Sequence, residues 1–231
     1  MSAVQTSNSR TVLGLLLLAP FFIALILLST FKGETFESAI VFFILALASL
    51  FFAFLARSLG WEPFRWLSGK FDRHDLKYIG LGIVGLLGSV FVITSIIPGT
   101  IGILIGLGAG GIVLSYLLYK SQSIVVPWVV HAVYNILVIA LAGGFFSFLG
   151  LSAVPLTSQP LFIPNFGFDL ADANTFTQAA FLQFFAVALS EEALRVSLAA
   201  GIGMLFTRNP AVMLIGSTGL WVALHNILSY R

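Results

Sequence analysis

Long apolar runs, broken only by charges, prolines and polar clusters, dominate the chain, falling near 11–31, 35–57, 77–98, 100–119, 124–145, 176–206 and 210–230. About 20 apolar residues carry a helix across a ~30 Å hydrocarbon layer. The pattern therefore predicts an all-α, polytopic membrane bundle of about seven transmembrane helices, with 1–231 as a single integral membrane domain. The first run follows a short polar leader with one basic residue, Arg10, as in a signal sequence. It extends beyond the roughly 7–15 apolar residues of a cleavable signal and is read as a retained first span. Within 100–119, Gly102, Gly106 and Gly110 recur every four residues, a small-residue spacing that lets membrane helices approach closely.

Two connections carry more than turn residues. The segment from Gly60 to Lys77, GWEPFRWLSGKFDRHDLK, mixes Trp61, Phe64, Trp66 and Phe71 with Arg65, Lys70 and Arg73. That mixture predicts a short helix lying in the headgroup layer at about 60–77. The connection at about 151–175 has no Lys or Arg, but contains Pro155, Pro160, Pro164 and an apolar stretch from Leu161 to Phe168. It is expected outside the membrane, lying on the bilayer surface or over the bundle, with Asp172 or Asn174 capping the next helix.

Composition strengthens the membrane reading. With 59% hydrophobic and 9% charged residues and a mean hydropathy of +1.06, the chain departs from the roughly 25% charged make-up of soluble domains. A net charge of +2, from 11 basic and 9 acidic residues, offers no basic stripe, so no nucleic-acid partner is expected. The absence of cysteine excludes disulfides, thiol nucleophiles and Cys-ligated metals. Given seven spans, Arg10, Arg57, Arg65, Lys70, Arg73, Lys77, Lys120 and Arg208 fall on one side, against Lys32 and Arg231 on the other. This bias predicts a multi-pass protein with a cytoplasmic N-terminus and an outer C-terminus.

Several polar residues lie inside these spans. Glu191, Glu192 and Arg195 share one apolar helix, LQFFAVALSEEALRVSLAAGIG. Intramembrane charges face the bundle interior and find partners. Glu191 and Arg195, at i and i+4, are expected to pair, while Glu192 points about 100° away and needs another partner or a proton. His131 and Asn135 share one face of VPWVVHAVYNILV, and Trp221 and His225 share one face of GLWVALHNILSY. At ~1.5 Å per residue, His131 and Asn135 lie about 9–16 Å deep, Arg195 about 16 Å, and Glu191 and His225 about 22 Å. These depths allow one polar cluster on three helices. A carboxylate, imidazoles and an amide provide a base for water and donors for an oxyanion, a set suited to peptide hydrolysis. They can also tie helices together structurally. No His-Glu-x-x-His helix occurs, and neither a metal nor another cofactor is expected.

These motifs resemble those of the CAAX protease and bacteriocin-processing family of intramembrane proteases. That family carries Glu-Glu-x-x-x-Arg on one helix, Phe-x-x-x-His on the next and His-x-x-x-Asn on a later one. GIVLSYLLYKSQSIVVPWVVHAVYN looks like its glycine-rich helix, basic turn and His-x-x-x-Asn helix, while Trp221 and His225 resemble the second motif with Trp in place of Phe. The resemblance covers about 104–135 and 183–226. It implies an intramembrane peptidase in which Glu191 or Glu192 activates water, His225 assists proton transfer, His131 and Asn135 hold the oxyanion, and Arg195 holds the glutamates. The spacing here is Glu-Glu-x-x-Arg. One register places Ser190 where the family has its first glutamate, whereas loss of one residue makes Glu191 the base. The His-x-x-x-Asn helix also precedes the glutamate helix, an order that a circular permutation would reconcile. Expected partners are membrane lipids and a membrane-associated peptide or protein substrate. The alternative is an inactive membrane scaffold or a subunit joined to other membrane subunits.

Overall fold

The computed structural model describes residues 7–30, 36–58, 72–97, 99–142, 177–178, 180–181, 183–207 and 209–229, and these contain helices and no strands. In chain order they form α1 (Ser7–Thr30), α2 (Phe36–Ser58), α3 (Arg73–Ile96), α4 (Gly99–Ser121) and α5 (Val125–Ala142). A π-helical segment (Gln183–Ala188) then runs directly into α6 (Leu189–Leu205), which is followed by α7 (Pro210–Ser229). The expected connection at 151–175, with Asp172 and Asn174, lies outside the described residues, as does 59–71.

Local signals explain several boundaries. Asp72 accepts from the backbone N–H groups of His74 and Asp75, while the Asp75 carboxylate accepts from the Asp72 N–H, forming a reciprocal capping box. This cap starts α3 at Arg73, so 73–77 of the expected interfacial segment forms the first turn of that helix. The α4–α5 turn places Gln122 at a left-handed φ of 55°, with its N–H donating to Leu118 O at 2.9 Å. Ser123 Oγ accepts from the Val125 N–H at 3.3 Å, capping α5. At α7, Asn209 Oδ1 accepts from the Ala211 N–H at 3.0 Å. Pro210 takes the first helical position, where its missing donor costs nothing.

Helix α6 is central. Thirteen of its 17 residues are buried, and it packs against α1, α2 and α7. Helices α3, α4 and α5 form a second group, with Leu86, Val90, Leu114, Leu117, Val126 and Val130 at its core. Helix α7 joins the groups by contacting both α4 and α6, while the π segment rests on α5. Gly110 faces Leu86 of α3, consistent with the close helix packing expected of the 100–119 glycines.

Small residues bring α6 close to α1. A Cβ on Gly201 would lie 2.5 Å from a Leu18 methyl and 3.1 Å from Gly14 O. Ser197 Oγ donates to Leu17 O at 2.6 Å, beside the Leu16 carbonyl that Pro20 leaves without its helical donor. At the C-terminal end of α6, Arg10 donates to Gly203 O at 3.3 Å, placing a cation by the negative end of the helix dipole.

Three helical stretches are long and apolar enough to cross a membrane: Ser9–Leu27, Arg73–Ile93 and Leu104–Ser121. Phe43–Ser58, Val125–Val138 and Pro210–Ala223 are shorter apolar helices. Phe51, Phe54, Val84, Ile96, Ile112 and Ile215 are all more than half exposed on the outer faces. Such an apolar exterior is consistent with membrane association.

Replacing Gly201 with Val should overpack the α1–α6 contact and cost about 1–3 kcal/mol. Thermal unfolding in mild detergent measures this, and an unchanged midpoint would rule out a tight contact at Gly201.

Candidate functional site

The turn at Gln122 and Ser123 folds α5 back beside α4 and brings His131 toward the first turns of α6. His131 reaches both adjacent glutamates, with Nε2 3.1 Å from Glu191 Oε2 and Nδ1 3.0 Å from Glu192 Oε1. Glu192 also pairs through Oε2 with Arg195, one turn away on the same helix. The guanidinium therefore pairs at i, i+3, where the sequence favoured Glu191 at i, i+4. Both spacings bring side chains together on a helix, and His131 from another helix bridges the two carboxylates.

The hydrogen-bond accounting is demanding. A neutral imidazole donates from one nitrogen only. For both nitrogens to donate to carboxylates, the ring must carry a second proton; otherwise a carboxyl must carry one. With one such proton, two glutamates, His131 and Arg195 sum to zero charge. Neutrality is the state that a poorly solvating interior favours. Glu192 and Arg195 are 1% and 2% exposed, whereas Glu191 and His131 each retain 12%. The cluster thus has a sealed half and a more accessible half.

The sealed half continues through residues not singled out from the sequence. Arg195 Nη1 donates to Ser115 Oγ of α4 at 2.5 Å. Ser115 Oγ lies 2.9 Å from Thr218 Oγ1 of α7, and Thr218 can donate to Gly111 O at 3.4 Å. The Arg195 donor makes Ser115 an acceptor, so the serine proton is available to Thr218 and the threonine proton to Gly111. This directed chain joins α6, α4 and α7. Its sequence signal is faint, being two isolated hydroxyls in SYLLYK and STGLW.

The remaining candidates occupy distinct settings. Asn135 is partly buried one turn beyond His131 on α5. Trp221 is 7% exposed and packs with Phe21, Leu194 and Leu198. His225 follows one turn later in α7, but its side chain lies outside the described residues. Ser190 Oγ is fully buried and has no hydrogen-bond partner among the described residues. Among the described residues, no group of three or more His, Cys, Asp or Glu is arranged to hold a metal ion.

Immediately before the glutamates, Trp128 Nε1 donates to Phe184 O in the π segment at 2.7 Å. The Trp128 and Phe184 rings also pack 5.0 Å apart. Trp128 and His131 are one turn apart on α5, so the same helix face braces the π segment and contacts the carboxylates. Comparison with family models, curated proteins and solved structures finds no match for the chain.

Substituting Ser115 with Ala should cost about 1–3 kcal/mol by depriving a buried arginine donor of its acceptor. Combining this change with Thr218→Val should be less damaging than the sum of the single changes, with coupling of about 0.5–3 kcal/mol. Unfolding of the four proteins in one detergent measures the cycle; strict additivity would show that the two hydroxyls act independently.

Proposed function

We propose that the chain is a multi-pass intramembrane peptidase, resembling CAAX proteases, that hydrolyses a peptide bond of a membrane-associated substrate using water activated by glutamate. The observation carrying this reading is the convergence of His131 from α5 on the adjacent carboxylates of α6. It supplies a base, a proton carrier and a fixed cation without an additional cofactor.

Glu191 is the proposed base because Glu192 is sealed between His131 and Arg195 at 1% exposed. The relative exposure of Glu191 and His131 also favours access by water or substrate. Glu191 removes a proton from water as the oxygen attacks the peptide carbonyl. As Glu191 takes that proton it releases the His131 Nε2–H, which with Asn135 stabilises the developing oxyanion, and His225 assists proton transfer to the leaving amine. Glu192 and Arg195 hold this arrangement. Assigning the base to Glu191 corresponds to the shortened glutamate–arginine register.

The proposed membrane arrangement has about seven spans, a cytoplasmic N-terminus and an outer C-terminus. The start of α1 approaches the end of α6 through Arg10 and Gly203. The end of α4 and the start of α7 share a cavity through Tyr119 and Asn209. These contacts support grouping Arg10, Lys120 and the α6–α7 turn at the basic, cytoplasmic side. The second reading is a non-catalytic scaffold or membrane subunit, favoured specifically by the sealed Glu192–Arg195–Ser115 connection among helices.

Reconstituted protein should cleave at least one of a panel of membrane-anchored, quenched-fluorescence peptides. Glu191→Gln should reduce that cleavage by about 10²-fold or more while leaving the unfolding midpoint near that of the parent. Glu192→Gln should instead cost about 3–5 kcal/mol by leaving Arg195 without its buried partner. Parental rates in the Glu191→Gln protein would remove Glu191 as the base. Loss of stability in both variants, with no cleavage by the parent across the panel, would establish the scaffold reading.

Fusions of a compartment-sensitive reporter after Lys120 and after Ser158 should report opposite sides of the membrane. The same compartment at both positions would overturn the proposed topology.

A further inference from the structure

A cavity of about 380 Å³ lies between α4 and α7, with Ile112, Tyr116 and Tyr119 on one side and Pro210, Leu214 and Ile215 on the other. Ser115 and Thr218 also line it. The helices touch tightly at Gly111, where a Cβ would lie 2.6 Å from Thr218 Cγ2. Their seam therefore runs from this close contact toward the ends of the helices at Tyr119 and Pro210. Ile112, Tyr116 and Ile215 are 57%, 55% and 64% exposed, giving the cavity a lateral, apolar opening.

The mouth has a charge. Lys120 Nζ lies 5.7 Å from the Tyr116 ring centre and 5.9 Å from that of Tyr119. Tyrosine and lysine at a helix end suit the membrane–water boundary, where anionic headgroups attract cations. One turn of an α-helix about 10 Å wide occupies roughly 420 Å³, so the cavity favours a slender chain over an entering helix.

We propose that this seam binds an anionic phospholipid, with an acyl chain between α4 and α7 and the headgroup beside Lys120. The apolar walls receive the chain, while the ammonium group distinguishes an anionic head from a zwitterionic one. This site is separate from the proposed peptidase centre and does not depend on cleavage. Its inner wall nevertheless includes the hydroxyl pair that receives Arg195, so lipid binding stabilises the packing around that pair.

The test uses the delipidated full chain in nonionic detergent, titrated with phosphatidylglycerol or with phosphatidylcholine carrying the same acyl chains. Phosphatidylglycerol should raise the unfolding midpoint by at least about 3 °C more than phosphatidylcholine. Lys120→Gln should abolish this difference, and Ile215→Trp or Ala211→Leu should reduce the response to phosphatidylglycerol by filling the seam. Native mass spectrometry should show correspondingly less retained phosphatidylglycerol in the filled variants. Equal parental responses to the two lipids, or an undiminished phosphatidylglycerol response in a folded filled variant, would overturn the proposal. Stabilisation that follows protein concentration instead of lipid would assign the seam to a second copy and also overturn it. Activity assays enter neither result, so failure of the peptidase reading leaves this test intact.

Discussion

A cation and two carboxylates within an apolar bundle impose the main constraint on this structure. Each charge loses hydration, and leaving any one without compensation is costly. The surrounding helices meet that demand together. Helix α6 contributes Glu191, Glu192 and Arg195, α5 contributes His131, α4 contributes Ser115, and α7 contributes Thr218. Polar satisfaction therefore constrains helix arrangement as well as local chemistry. Closely packed small residues, such as Gly201 against α1 and Gly111 against Thr218, allow these short hydrogen-bond reaches.

The two glutamates have different surroundings although they are adjacent in sequence. Glu192 lies between His131 and Arg195, whereas Glu191 contacts the other side of the same imidazole and is more exposed. One carboxylate is thus suited to holding a network and the other to meeting an incoming group. The proposed chemistry uses this asymmetry, because a base needs both access to water and neighbours that keep its geometry fixed. The Trp128 bond to the π segment adds a brace just before the glutamate turns.

Much of the helical framework was legible because a membrane helix requires a long apolar run. The caps at Ser123 and Asn209 emerge only with the structure, where each accepts from a backbone N–H two residues on. The beginning of α3 was less clear because the aromatic and basic residues between Gly60 and Lys77 resemble an interfacial helix, although Asp72 and Asp75 contained the reciprocal cap. Three apolar helical stretches meet the length and hydropathy requirements of a membrane span, consistent with part of the broader bundle expectation. The charged helix and His131 stood out as polar residues in apolar surroundings. The Glu192–Arg195 pair did not, because both helical spacings permit contact and the sequence does not show which carboxylate lies against the guanidinium.

Ser115 and Thr218 were harder to recognise because an isolated hydroxyl in a helix can satisfy itself against its own backbone. Only the meeting of α4, α6 and α7 gives their positions joint meaning. Ser115 accepts from Arg195 on one side and is available to donate to Thr218 on the other. The same two hydroxyls line the lateral cavity, placing an apolar surface and a buried electrostatic network on opposite sides of one helix seam. A change in how that seam packs must therefore alter the surroundings of Arg195, even when it leaves both glutamates untouched.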